Sequence, residues 1–95
     1  MVLHDAPAAE ILRELLTDDG AIFVSIDIDA VELPGSSAAA PGTLTSREMI
    51  ALVRELASSP KLIACDLSEL SPPWDVQNLT AKLAARLFLE VFAGR

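Results

Sequence analysis

The chain is short of several things at once: it has one cysteine (Cys65), one histidine (His4), no tyrosine, and only 4% aromatic residues. A lone cysteine forms no internal disulfide. Cys65 also lies inside an apolar run with no basic residue nearby to favour its thiolate, so it reads as a small core residue of a protein kept in a reducing cytoplasm. Basic residues are few, 7 Lys plus Arg against 14 Asp plus Glu, for a formal net charge of -7. With a pI near 4.4, that balance excludes nucleic acid and anionic membrane as partners, since both need a basic surface. A small cationic ligand stays compatible. No apolar run reaches the roughly 20 residues that cross a bilayer, and no basic flank with an apolar signal core opens the chain.

What is present is mostly apolar. At 95 residues and 52% hydrophobic, with a mean hydropathy of +0.42, the chain is one small domain with more to bury than its own surface allows. Its exterior is expected to be covered by something else, a partner subunit in a homo-oligomer or a missing N-terminal half of the same protein.

The pattern alternates helix and strand. Asp5, Ala6 and Pro7 read as a helix start, and Ile11, Leu12, Leu15 and Leu16 fall on one face of that helix. Ala21 to Ile28 is nearly continuous in apolar residues, the mark of a strand buried on both faces in a parallel sheet. Ala30 to Leu44 is a long Pro, Gly, Ser and Ala loop of the kind that is ordered around a site rather than a free link. Thr45 and Glu48 then form a capping box for a helix to about Ala57, with Met49, Ile50, Leu52, Val53 and Leu56 inward. A second buried strand, Leu62 to Leu67, completes a right-handed βαβ unit. Trp74 follows as a packing residue in a turn. From Asn78 to Phe92 a helix shows one polar stripe, Lys82, Arg86 and Glu90, and is expected to be buried nearly all round up to Gly94. The fold class is therefore α/β, a three-layer α/β/α arrangement with a parallel sheet, of which this chain holds a two-strand, three-helix piece in the order α-β-α-β-α.

The stretch Ala21 to Asp29 organises the rest. It ends in Asp27 and Asp29, two carboxylates at the C-terminal end of a strand, where parallel sheets place their sites. Two oxygen donors that close favour a hard divalent cation such as Mg²⁺ or Mn²⁺ between them. The plainer alternative is a solvated strand end or a capped turn. Neighbouring parallel strands bring Asp66 to Glu69 to the same edge.

Several motifs in order carry a resemblance. Ser25-Ile-Asp-Ile-Asp29, the Pro-Gly-Ser loop leading to Thr43-Leu-Thr-Ser-Arg-Glu48, Asp66-Leu-Ser-Glu-Leu-Ser-Pro-Pro73, Asp75 and Leu79-Thr-Ala-Lys-Leu-Ala-Ala85 together resemble the C-terminal part of the ureohydrolases, the arginase, agmatinase and formimidoylglutamase group. The loop PGSSAAAPG and the Ala-Ala helix look closest to formimidoylglutamase. The resemblance implies a pair of Mn²⁺ ions that activates water against a guanidino or formimino carbon, with Asp27 and Asp29 as metal ligands and Glu69 facing the cationic substrate group. It assigns no catalytic residue here.

The departures from that family are also informative. The upstream histidine and Asp-x-His-x-Asp run that complete the metal set are absent, and His4 reads as a surface residue. Val31, Glu32 and Leu33 stand where the family usually has Asp-Pro. Two carboxylates do not fill the coordination of two octahedral ions, so the chain alone is expected to hold no complete metal pair and to turn over no substrate. Two other readings stay open at this stage. One is a non-catalytic oligomerising or interaction domain derived from that family. The other is a haloacid dehalogenase-type phosphotransferase, in which an Asp-x-Asp also ends a buried strand.

Overall fold

The computed structural model describes residues 10, 14, 16–17, 20–33, 35 and 40–94. The helix expected near the N-terminus, except for Glu10, Glu14 and Leu16, lies outside those residues, as does His4. Within them the order is β1 (Ile22–Asp27), α1 (Ser46–Ala57), β2 (Leu62–Ser68) and α2 (Leu79–Ala93), with single 3-10 turns at Ile28–Ala30 and Pro72–Trp74. The two strands pair in parallel, as the βαβ reading requires. Ile22 pairs with Leu62 but Phe23 with Ala64, so Ile63 is skipped by a bulge. From there the register is regular, Ser25 opposite Asp66 and Asp27 opposite Ser68.

Both helices follow from local chemistry. The Thr45 hydroxyl accepts from the Glu48 N–H at 3.1 Å and the Glu48 carboxylate accepts from the Thr45 N–H at 2.9 Å, the expected capping box. Met49, Val53 and Ala57 are the buried stripe of α1, with Ile50, Leu52 and Leu56 half-buried. For α2 the cap comes from further upstream. Asn78 is left-handed and caps nothing with its side chain, while Asp75 accepts from the N–H groups of Thr80 at 2.9 Å and Ala81 at 3.0 Å. Burial pushes the Asp75 carboxyl up, but these backbone donors outweigh it and hold the group below its usual range.

Strand alternation sorts the sheet into two unlike faces. Val24 and Ile26 point into a core shared with Ile28, Val31, Leu44, Met49, Val53, Leu83 and Leu87, so both helices lie on one side. Phe23, Ser25 and Asp27 of β1, with Ala64, Asp66 and Ser68 of β2, are exposed on the other. Phe23 is 60% exposed and Ile63 70%. Burial on both faces, expected from the apolar run, is therefore not met within the described residues, because none of them forms a layer over the second face.

Two further expectations change for the same reason. The helix expected to be buried nearly all round buries only Thr80, Leu83, Ala84 and Leu87, leaving Leu89 64% and Phe92 72% exposed. Trp74, expected to pack, is 63% exposed. Cys65 is half-buried, beside the core rather than within it. No described helix is long and apolar enough to cross a membrane.

Candidate metal centre

β1 delivers Asp27 to the C-terminal end of the sheet, and its strand geometry stops there. An aspartate side chain competes with the ladder for backbone donors. The Asp27 Oδ1 takes the N–H of Asp29 at 2.9 Å and closes the 3-10 turn Ile28–Ala30. That turn, not strand alternation, places Asp29, so the strand expected through Ile28 is one residue shorter. It drives Ile28 into the core at 1% exposure and leaves Asp29 half-buried behind the strand end. The plainer alternative from the sequence, a capped turn, describes Asp27 correctly.

Asp29 is different. Its Oδ1 is shielded from solvent and has no hydrogen-bond donor among the described residues. A buried carboxylate oxygen without a partner is costly. Hard oxygen donors of this kind suit a Mg²⁺- or Mn²⁺-type cation, and Asp27 stands two residues away with its second oxygen uncommitted to the turn. The kind of donor fits a metal, but the number does not. Among the described residues no three of His, Cys, Asp and Glu come together as a metal-holding group.

Glu69 arrives from the neighbouring strand. It follows Ser68, the residue paired with Asp27, so the two strand ends lie side by side and Glu69 shares an edge with the aspartates. Its φ of 71° is left-handed, a conformation that costs an L-residue about 1–2 kcal/mol. Such strain persists where surrounding structure imposes it, and it gathers at functional positions. Just below, the Ser25 hydroxyl donates to the Asp66 Oδ1 at 2.7 Å across the strands. In the sequence that pair shows only as a polar residue in each of two apolar runs at matching depth.

The long loop is tied down at its base. Leu44 N–H donates to the Ala30 carbonyl at 2.8 Å and Glu32 N–H to the Leu44 carbonyl at 2.7 Å, making a one-pair bridge between Val31 and Leu44. Glu32 Oε1 takes the N–H of Gly42 at 2.6 Å, where Gly42 has a φ of 81° that glycine adopts at no steric cost. Gly35 is buried against α2, and a Cβ there would collide with the Thr80 side chain. Its carbonyl accepts from Ser71 N–H at 2.7 Å. Gly35 thus ties the stretch after β1 to Ser71 and to the first turn of α2.

Between β1 and α1 lies an apolar groove of about 270 Å³, lined along Val24 to Asp27 and by Leu44, Met49 and Leu52 among others. β1 pairs with β2 alone, so its other edge meets this groove unpaired within the described residues.

The profile of the arginase family matches residues 3–94. Formimidoylglutamase of Rhodococcus jostii is 34% identical over 90 residues, which are 92% of this chain and 28% of that protein. Among solved structures, formimidoylglutamase of Bacillus subtilis aligns with a TM-score of 0.80 at 30% identity, over 90% of this chain and 27% of its own. Proclavaminate amidinohydrolase of Streptomyces clavuligerus aligns with a TM-score of 0.80 at 35% identity, over 90% and 29%. The chain therefore spans under a third of the length of these relatives. Their architecture supports the α/β/α class with a parallel sheet, of which the described residues are a two-strand, two-helix piece.

Proposed function

This chain belongs to the arginase family, and from that premise we propose that it is the C-terminal portion of a Mn²⁺-dependent hydrolase domain that cleaves the linear C–N bond of a guanidino or formimino compound. The observation that carries the reading is the unpartnered, buried Asp29 Oδ1 behind Asp27 at the strand end. Asp27 and Asp29 would hold part of the metal site. A metal pair there supplies Lewis-acid activation of water at neutral pH.

The chain's own residues do the positioning. Asp27 fixes the turn that carries Asp29, and Glu69, held at the same edge by β2, offers a carboxylate to a planar cation through charge-assisted hydrogen bonds. Because the two aspartates are an incomplete ligand set, the 95 residues alone are proposed to be inactive. The remaining ligands would come from chain that also covers the exposed sheet face and pairs with the free edge of β1, whether that chain is the rest of the domain or a partner subunit. A cytoplasmic setting belongs to the same proposal and rests on the lone Cys65.

Calorimetric titration with Mn²⁺ tests it. Wild-type chain should bind weakly, and Asp29→Asn should lose that binding while keeping its fold by circular dichroism. Supplying the other two-thirds of a family member in trans should tighten it by orders of magnitude. Equal Mn²⁺ affinity in a double Asp27→Asn, Asp29→Asn variant would remove the basis for the site.

A further inference from the structure

Away from the strand ends, three arginines of this acidic chain converge on one groove. It is about 520 Å³ and lies between α1 and α2, lined by Ser46, Arg47, Ile50, Ala51, Arg54 and Arg86. We propose that this groove binds a small oxyanion, a carboxylate or phosphate compound whose apolar body rests on Ile50 and Ala51. The proposal does not depend on the metal reading, because none of these residues belongs to it.

The arrangement is more than an ion pair joining two helices. Glu90 takes the Nε of Arg54 at 2.7 Å and its Nη2 at 3.0 Å, and the Nε of Arg86 at 2.8 Å. The Glu90 side chain is 14% exposed, against 57% for Arg54 and 48% for Arg86. One inner carboxylate therefore holds two outer guanidinium groups by their inner edges. The Nη1 of Arg54 and both Nη atoms of Arg86 keep their hydrogens without an acceptor among the described residues, and Arg47 has no partner there at all. Three guanidiniums against one carboxylate leave two positive charges uncompensated, in a chain whose formal net charge is -7. Three of its seven basic residues line this one groove.

Guanidinium is planar and presents paired N–H groups that match carboxylate and phosphate oxygens bidentately. Two of the three groups are already held by Glu90, so little side-chain entropy is lost when an anion arrives. The volume falls in the range of small-molecule sites, roughly 300–1,000 Å³.

The test is calorimetry on the 95-residue chain with inorganic phosphate and, separately, succinate, at constant ionic strength. Saturable one-to-one binding of either is expected, and the tighter of the two identifies the oxyanion. Arg47→Ala should weaken it about tenfold without moving the thermal midpoint, since Arg47 holds nothing else in place. Arg47→Lys, which keeps the charge but loses the planar fork, should recover only part of it. Lys82→Ala, outside the groove, should leave the affinity unchanged. If neither anion saturates, or if Arg47→Ala binds as the wild type does, the groove is only an inter-helix ion-pair cluster.

Discussion

The two faces of the β1–β2 sheet differ in their strand residues and in their fate: Val24 and Ile26 face the helices, whereas Phe23, Ser25 and Asp27 face out. On the helix side, Ile26, Val53 and Leu87 are 6%, 2% and 0% exposed; on the other, Phe23 and Ile63 stand in the open. The helix-side face folds on what the chain itself provides. The other is left uncovered by the described residues. Asp27 lies on the open face and Asp29 in the turn just past it, so the candidate metal site falls on the incomplete side of the molecule while its supports belong to the finished one.

Substitutions should therefore sort by face. Leu87→Ala empties a fully enclosed position and should cost about 2–5 kcal/mol in urea denaturation, enough to unfold much of the population of a small domain. Phe23→Ser removes a larger side chain and should stay within about 0.5 kcal/mol, because an exposed position contributes little burial. Comparable losses at the two positions would mean that Phe23 is covered in solution.

The loop makes a second comparison, since Gly35 belongs to the closed side. Gly35→Ala drives a methyl into Thr80 and should cost about 1–3 kcal/mol by overpacking. Gly42, with nothing near its absent Cβ, reports backbone strain alone, and Gly42→Ala should cost less. Denaturation midpoints of the two variants separate packing from conformation.

The two aspartates sharpen the contrast further. Asp27→Ala loses the acceptor that closes the turn and should destabilise by about 1 kcal/mol, as cap losses do. Asp29→Ala removes a buried oxygen that nothing among the described residues satisfies, so without metal it should be neutral or slightly stabilising. That sign is what a residue kept for a ligand should show, because sites hold groups that the fold alone would not choose. If Asp29→Ala cost more than Asp27→Ala, the turn would depend on a contact of Asp29.

How much of this was legible beforehand follows from range. The capping box of Thr45 and Glu48, the end of α1 near Pro60, and the parallel pairing that sets Glu69 beside the aspartates all follow from contacts a few residues apart or from the βαβ order. The turn at Asp27 was harder, because an apolar residue between two aspartates suits a strand and a 3-10 turn alike, and the hydrogen bond to Asp29 N–H decided it. The Asp75 cap acts across an irregular turn, reaching past Asn78 to the N–H groups of Thr80 and Ala81. The exposure of Phe23, Leu89 and Phe92 was not legible at all: apolar pattern states what a residue is suited to touch, and the partner on that side is not among the described residues.

The smallest effect expected concerns the charged tie on the outer side of the finished layer. Hydrogen bonds from Arg54 and then Arg86 hold the Glu90 carboxyl down to about 2 from 4.5, against burial that pushes it up. A group whose folded value is depressed stabilises the fold above its unfolded value, and loses that contribution as pH falls toward the folded one. Stability from this source should therefore be full above about pH 4.5 and decline toward pH 2. Asp75, also depressed, adds to the same slope. Glu90→Gln should flatten the acid limb of a midpoint-against-pH curve and leave Asp75's share in place. The difference between variant and wild type at pH 7 should be modest and should shrink in added salt, because the two arginines are about half exposed. An acid limb unchanged by Glu90→Gln would mean that α1 and α2 are held together by Val53, Leu83 and Leu87 alone.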